Sequence, residues 1–160
     1  MRTLAFLTAD RSLPTRAPLG PADRSDLVKL ELHGPPPRSL TMGQALRAEQ
    51  AWWCPVTPSR TLVLADPTAG PVLRARLGEA AVDLTCGLVA LSLSGPCAEE
   101  LLARFCAIDT RPHVLPVGGF RPGSIARTPG YVLREGEQQL LLLVGAAYAR
   151  HLFDVVADHA

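Results

Sequence analysis

The clearest periodicity in the chain is "LVKLELHG", in which Val28, Leu30 and Leu32 alternate with Lys29, Glu31 and His33. A period of two marks a strand with one covered face, and "GPPP" stops it. "RTLVLAD" (60–66) predicts a second strand. Asp66-Pro67-Thr68 then opens a helix to about Gly78, with Val72, Leu73 and Leu77 on its apolar face. Between them, "SLTMGQALRAEQAWW" spaces Leu40, Met42, Ala45 and Leu46 loosely at helical intervals, which predicts a short helix or a covering loop.

The second half is more regular. "AVDLT" and "GLVALSLS" read as strands parted by Cys86-Gly87. From Pro96 to about Cys106, residues Ala98, Leu101, Leu102 and Phe105 form one helical stripe. Proline at the first helical position and Glu99-Glu100 in the first turn suit a helix start. "IDTRPHVLPVGGFRPG" is a long Pro/Gly connection, after which "SIARTP", "YVLREG" and "QQLLLLVG" predict a meander of strands. Gln139 to Val144 is apolar on both faces and so belongs at the centre of a sheet. A closing helix, Ala146 to His159, turns Tyr148, Leu152, Val155 and Val156 inward. Returning strands with helices to one side indicate an α+β fold with mostly antiparallel sheets. Residues 1–26 are polar and rich in Pro, Arg and Asp toward their end, which predicts an extended or disordered leader.

Composition narrows the function. The 160 residues suffice for one ordinary domain or two small lobes sharing a core. With 48% hydrophobic residues but 5% aromatic ones, that core is made of Leu, Val and Ala. Lys29 is the one lysine, a bias we attribute to a GC-rich coding sequence. A net charge of +1 gives no footprint for nucleic acid or an anionic membrane. The apolar run Leu4 to Leu7 is too short for a secretory signal, and "LLLLVGAA" falls short of the roughly 18 residues a membrane helix needs. Cys54, Cys86, Cys97 and Cys106 show neither a CxxC pair nor secretory spacing, which predicts reduced thiols and a cytoplasmic protein.

Candidate chemistry is sparse. Cys97 sits where a helix N-terminus favours a thiolate, but a nucleophile also needs His113 or His151 folded against it. Neither histidine lies in a cysteine-hydrolase motif, so a small residue filling a strand-to-helix junction is the better reading. The cysteine intervals fit no zinc framework that would include Cys106 and His113. "LPVGGFRPGS" lacks the Lys-Ser/Thr of a phosphate loop. Trp52 and Trp53 are the interface candidates. Adjacent residues cannot share the one core face of a strand, so at least one indole is exposed or placed at an interface, which can be a partner surface or the packing of one lobe on another. No catalytic, cofactor-binding or metal constellation emerges.

The order of segments is more telling than any one of them. Asp83-Leu84-Thr85, Leu93-Ser94-Gly95-Pro96, Cys106-Ala107-Ile108-Asp109, Pro112 and Pro116-Val117-Gly118 follow one another as they do in a known family. They resemble the γ subunit of heterotetrameric sarcosine oxidases and, more distantly, the folate-binding domain of the glycine-cleavage aminomethyltransferase. "LLLLVGAAYARHLFDVVADH" resembles that family's closing strand and helix. In the first half, "RTLVLAD" stands in reduced form where the family carries Leu-Gly-Pro-Asp-Glu-Trp.

The resemblance implies two small lobes of ferredoxin-like β-α-β pieces, a first at 27–80 and a second at 81–160. It implies a non-catalytic subunit of a complex that oxidatively demethylates an N-methyl amino acid or amine. The partners would be a large α subunit, a β subunit and a small δ subunit, carrying FAD, FMN, NAD and tetrahydrofolate, with no cofactor on this chain. Two other readings are a free-standing folate-binding one-carbon-transfer domain and a stand-alone thiol enzyme using Cys97.

Overall fold

A computed structural model describes residues 21–36 and 39–159. Its strands are β1 (Pro21–Asp23), β2 (Val28–His33), β3 (Leu46–Ala48), β4 (Ala51–Thr57), β5 (Arg60–Ala65), β6 (Ala81–Asp83), β7 (Leu88–Ser94), β8 (Phe120–Ile125), β9 (Thr128–Gly136) and β10 (Gln139–Gly145). Helix α1 (Gly70–Leu77) follows β5, α2 (Ala98–Ala103) follows β7, and α3 (Ala149–His159) ends the chain. The strands form two five-stranded sheets, ordered β3-β4-β5-β2-β6 and β1-β7-β10-β9-β8. Every pairing within them is antiparallel. The α+β class follows from this arrangement.

The side-chain alternation of each central strand explains the layering. On β10, Leu140, Leu142 and Val144 join Leu102, Leu152 and Val156 beneath α2 and α3. The intervening Leu141 and Leu143 meet Cys54, Leu62 and Leu64 of the other sheet. On that second sheet, Leu30, Leu32, Trp53 and Val63 turn outward to Leu73 of α1. The result is four layers, helix, sheet, sheet, helix, so each sheet carries helices on one side only. Such a strand needs apolar residues on both faces, and the run Gln139 to Val144 supplies them at the centre of its sheet. Each leucine buried this way stabilises the fold by about 1.5–3 kcal/mol.

Among the described residues, the chain passes between the sheets twice. β1 pairs with β7, and the chain then crosses through residues 24–27 to β2. After β6, which pairs with β2, it crosses back through 84–87 to β7. Thus part of the stretch expected as a leader is an edge strand, and residues 1–20 lie outside the described residues. Likewise β6, from the start of the 81–160 half, completes the sheet formed by the first half.

Several local expectations are corrected. Of the helix or covering loop expected near 40–46, the loop is found, but the rest of that stretch is strand: a turn leads into β3, which hairpins onto β4 through Glu49 and Gln50 at φ 55° and 56°. β8 begins inside the expected Pro/Gly connection. Pro122 is tolerated there because β8 is an edge strand, and Gly123 because the Ile108 side chain lies where a Cβ would stand. β2 is buried on both faces, Lys29 included, because its second face looks into the inter-sheet layer. Val72 is exposed because α1 is short and rests mainly on Gly70 and Leu73. Tyr148 is exposed because Ala146–Tyr148 is a 3-10 turn, which shifts its phase relative to α3.

Candidate functional site

The 104–119 connection has little regular structure of its own, and a buried cation holds it in place. Arg134 of β9 is almost wholly enclosed. Its Nε donates to Leu115 O at 2.6 Å, one terminal nitrogen to Glu137 O at 2.8 Å, and the other to Glu99 Oε2 at 2.9 Å and to Thr110 O. Five donors on a rigid fork suit this task, and the Leu115 and Thr110 carbonyls are paired by it in buried bonds. One side chain therefore fixes the connection, the hairpin before β10 and the first turn of α2.

Beside this hub lies an open groove of about 540 Å³, lined among others by Pro96, Glu99, Ala103, Cys106, Asp109 and Arg111. Its charged groups are already engaged. Glu99 is bound to Arg134, and the Arg111 guanidinium closes on Asp109 at 2.9 and 2.5 Å. The Arg111 hydrogen bonds hold the Asp109 carboxyl down to about 2. Burial pushes the Cys106 thiol up, away from the thiolate.

The two tryptophans have separate positions. Trp53 is fully buried under α1, its indole N–H donating to Ala48 O at 3.3 Å. Trp52, one residue earlier, points into the layer between the sheets, half-buried. Its Nε1 donates to Glu135 on β9 at 3.1 Å, and Arg47 lies over its ring at 5.6 Å. The dipeptide thus feeds two cores, one on each side of β4. Sequence reasoning assumed one buried face per strand, and a four-layer fold gives two.

Cys97 is exposed at the start of a six-residue helix. Among the described residues no hydrogen bond joins it to His113 or His151, and the His151 Nε2 contacts Ala126 O at 2.8 Å instead. Among the described residues no three His, Cys, Asp or Glu side chains gather as metal ligands. Nor is any described helix long and apolar enough to cross a membrane. Arg134 was not singled out from sequence; its one signal was a charge at an inward-facing position of the run "YVLREG".

The sequence matches no family model and no curated protein. Solved structures do match. A chain of the heterotetrameric sarcosine oxidase from Corynebacterium sp. U-96, solved in complex with pyrrole 2-carboxylate, superposes with a TM-score of 0.75 at 21% identity, over 87% of this chain and 82% of that one. The glycine cleavage system aminomethyltransferase T from Bartonella henselae gives 0.68 at 20% identity, over 89% of this chain and 46% of that enzyme. The chain thus spans less than half of the aminomethyltransferase and most of the sarcosine oxidase chain. Its fold is the one those two proteins share, as the ordered segments of the sequence predict.

Proposed function

We propose that this chain is a non-catalytic γ-type subunit of a sarcosine-oxidase-like flavoenzyme complex that oxidatively demethylates an N-methyl amino acid or amine. The observation that carries this reading is the match along nearly the whole of both chains, 87% of this one and 82% of the sarcosine oxidase chain. The chemistry of the residues supports it. Charged groups in and beside the groove hold the chain's own connections in place: Arg134, behind it, fixes the 104–119 segment through Leu115 O and Glu99, and Arg111 closes on Asp109. Such a chain acts by shape, as a rigid body between larger subunits.

In this reading the partners are a large α subunit, a β subunit and a small δ subunit, in the cytoplasm. FAD, FMN, NAD and tetrahydrofolate reside on the partners, where the redox and one-carbon steps take place. Co-expression with the neighbouring reading frames and purification through a tag on this chain tests it. A yellow complex containing a large flavoprotein is the expected product; a colourless monomer that retains no flavoprotein overturns the proposal.

The likeness to the aminomethyltransferase favours a second reading, a free-standing folate-binding one-carbon-transfer domain. The closed Asp109–Arg111 pair counts against it. Calorimetry of the isolated chain with tetrahydrofolate separates the two, and saturable heat would favour the second.

A further inference from the structure

The groove beside α2 lies close to the point where the chain enters that sheet. β1 pairs with β7 in antiparallel register, Pro21 opposite Leu93, and β7 leads through Ser94 and Gly95 to Pro96, which lines the groove. The chain that reaches β1 therefore arrives from the side of Pro96. The far wall of the groove lies over β9, since Glu99 is bound there to Arg134. With strands in the order β1-β7-β10-β9, that wall is three strand spacings from β1, about 14 Å. The sequence before β1, "RSLPTRAPLG" (11–20), spans up to about 33 Å when extended, so its length is sufficient.

We propose that this groove is the seat of the chain's own N-terminal segment, residues 11–20. The two sides match in chemistry. The groove presents Pro96, Ala103, Cys106 and Ile108, and the segment brings Leu13, Pro14, Ala17, Pro18 and Leu19. The least engaged charged group of the groove is Glu100, whose side chain is 75% exposed and meets Arg104 at 3.5 Å. The segment carries Arg11 and Arg16 and no acidic residue. Arg111 does not oppose them, because Asp109 holds its guanidinium at 2.5 Å.

Pro14 and Pro18 fix φ and remove two backbone donors, which lowers the cost of laying the segment in a groove. Attachment to β1 sets its local concentration at about millimolar, so weak contacts suffice and a separate molecule has to displace it. An ion pair at an open rim is screened by salt, which makes the seating salt-sensitive. The inference does not rest on the function proposed above: it concerns the isolated chain, and its failure leaves the co-purification test untouched.

Amide spectra of the full-length chain and of a chain lacking residues 2–18 test it. Any truncation there moves signals near Pro21 and Leu93, so the decisive ones lie across the groove, at Ala103, Ile108, Asp109 and Arg111. These should shift on truncation. A synthetic peptide of residues 9–20, added to the truncated chain, should bring them back, and less fully at high salt. Cys106 supplies a second readout. With the exposed Cys86 and Cys97 replaced by serine, a thiol reagent should modify it several-fold faster in the truncated chain. Arg11→Glu combined with Arg16→Glu in the full-length chain should reproduce the truncation in both readouts. Identical groove signals and identical Cys106 rates in all three chains overturn the proposal. Groove shifts that fade on dilution also overturn it, since they mark a second copy as the occupant, as do shifts seen only with a flavoprotein partner present. If the truncated chain does not fold, the double arginine variant decides alone.

Discussion

The indole of Trp52 on β4 is hydrogen-bonded to the carboxylate of Glu135 on β9 at 3.1 Å, and this bond spans the two sheets. Arg24, from the first crossover, approaches the other Glu135 oxygen at 3.9 Å. Trp52→Phe keeps most of the apolar surface and removes only the donor. The expected loss is about 1–2 kcal/mol in urea unfolding, since the bond is to a charged group in a half-buried setting. Unchanged stability together with lost co-purification of a partner would reverse the assignment and make Trp52 a partner contact.

Arg134→Met should be among the most damaging single changes. It leaves the carbonyls of Leu115, Thr110 and Glu137 without a donor and Glu99 without its cation. Removing one partner from a buried charged network costs about 3–5 kcal/mol. Arg134→Lys should recover part of it, because an ammonium reaches fewer acceptors than a planar fork. A loss below about 1 kcal/mol in urea unfolding would refute the hub role.

The cysteines divide by environment. Cys54 is buried between the sheets, and burial raises its thiol well above the ordinary range; Cys97 is exposed. Cys54→Ser places a hydroxyl in an apolar layer and should cost about 1–3 kcal/mol. Cys97→Ser should fall within about 0.5 kcal/mol of wild type. In native protein a thiol reagent should modify Cys97 and spare Cys54 until unfolding. Protection of Cys97 would show that its side chain is covered.

Asp109 sets a feature of the acid limb. Its carboxyl is held at about 2 by Arg111, below the ordinary 3.8. A group whose folded value is depressed contributes fully above the unfolded value, and its contribution fades as pH falls from about 4 toward 2. Asp109→Asn should therefore be less stable than wild type at neutral pH and indistinguishable from it below the folded value. Carboxyl NMR that places the Asp109 midpoint at 3.8 would contradict this.

Much of the strand pattern was legible because period-two alternation is a local property. β2, β5 and β10 sit where the sequence places them, and the stripe Ala98, Leu101 and Leu102 lies on α2. The hairpin β3–β4 was not legible. Its turn uses Glu49 and Gln50 in left-handed conformations that glycine or asparagine usually signals. β8 was hidden for the opposite reason, since Pro122 and Gly123 read as loop until an edge position makes them acceptable.

By itself the sequence determined the elements with both faces apolar, the α+β class, and the ordered segments that resemble a sarcosine oxidase γ subunit. The tertiary structure decided which second face each strand meets. Lys29 reads as a solvent-side residue in an alternating strand, and Trp52 as a spare indole. Lys29 is buried and Trp52 half-buried because a second sheet packs on that face, contributed by residues far along the chain. The edge exchanges of β1 and β6 arise from pairings at long sequence separation. No local period encodes such pairings, because they exist only once both sheets are in place.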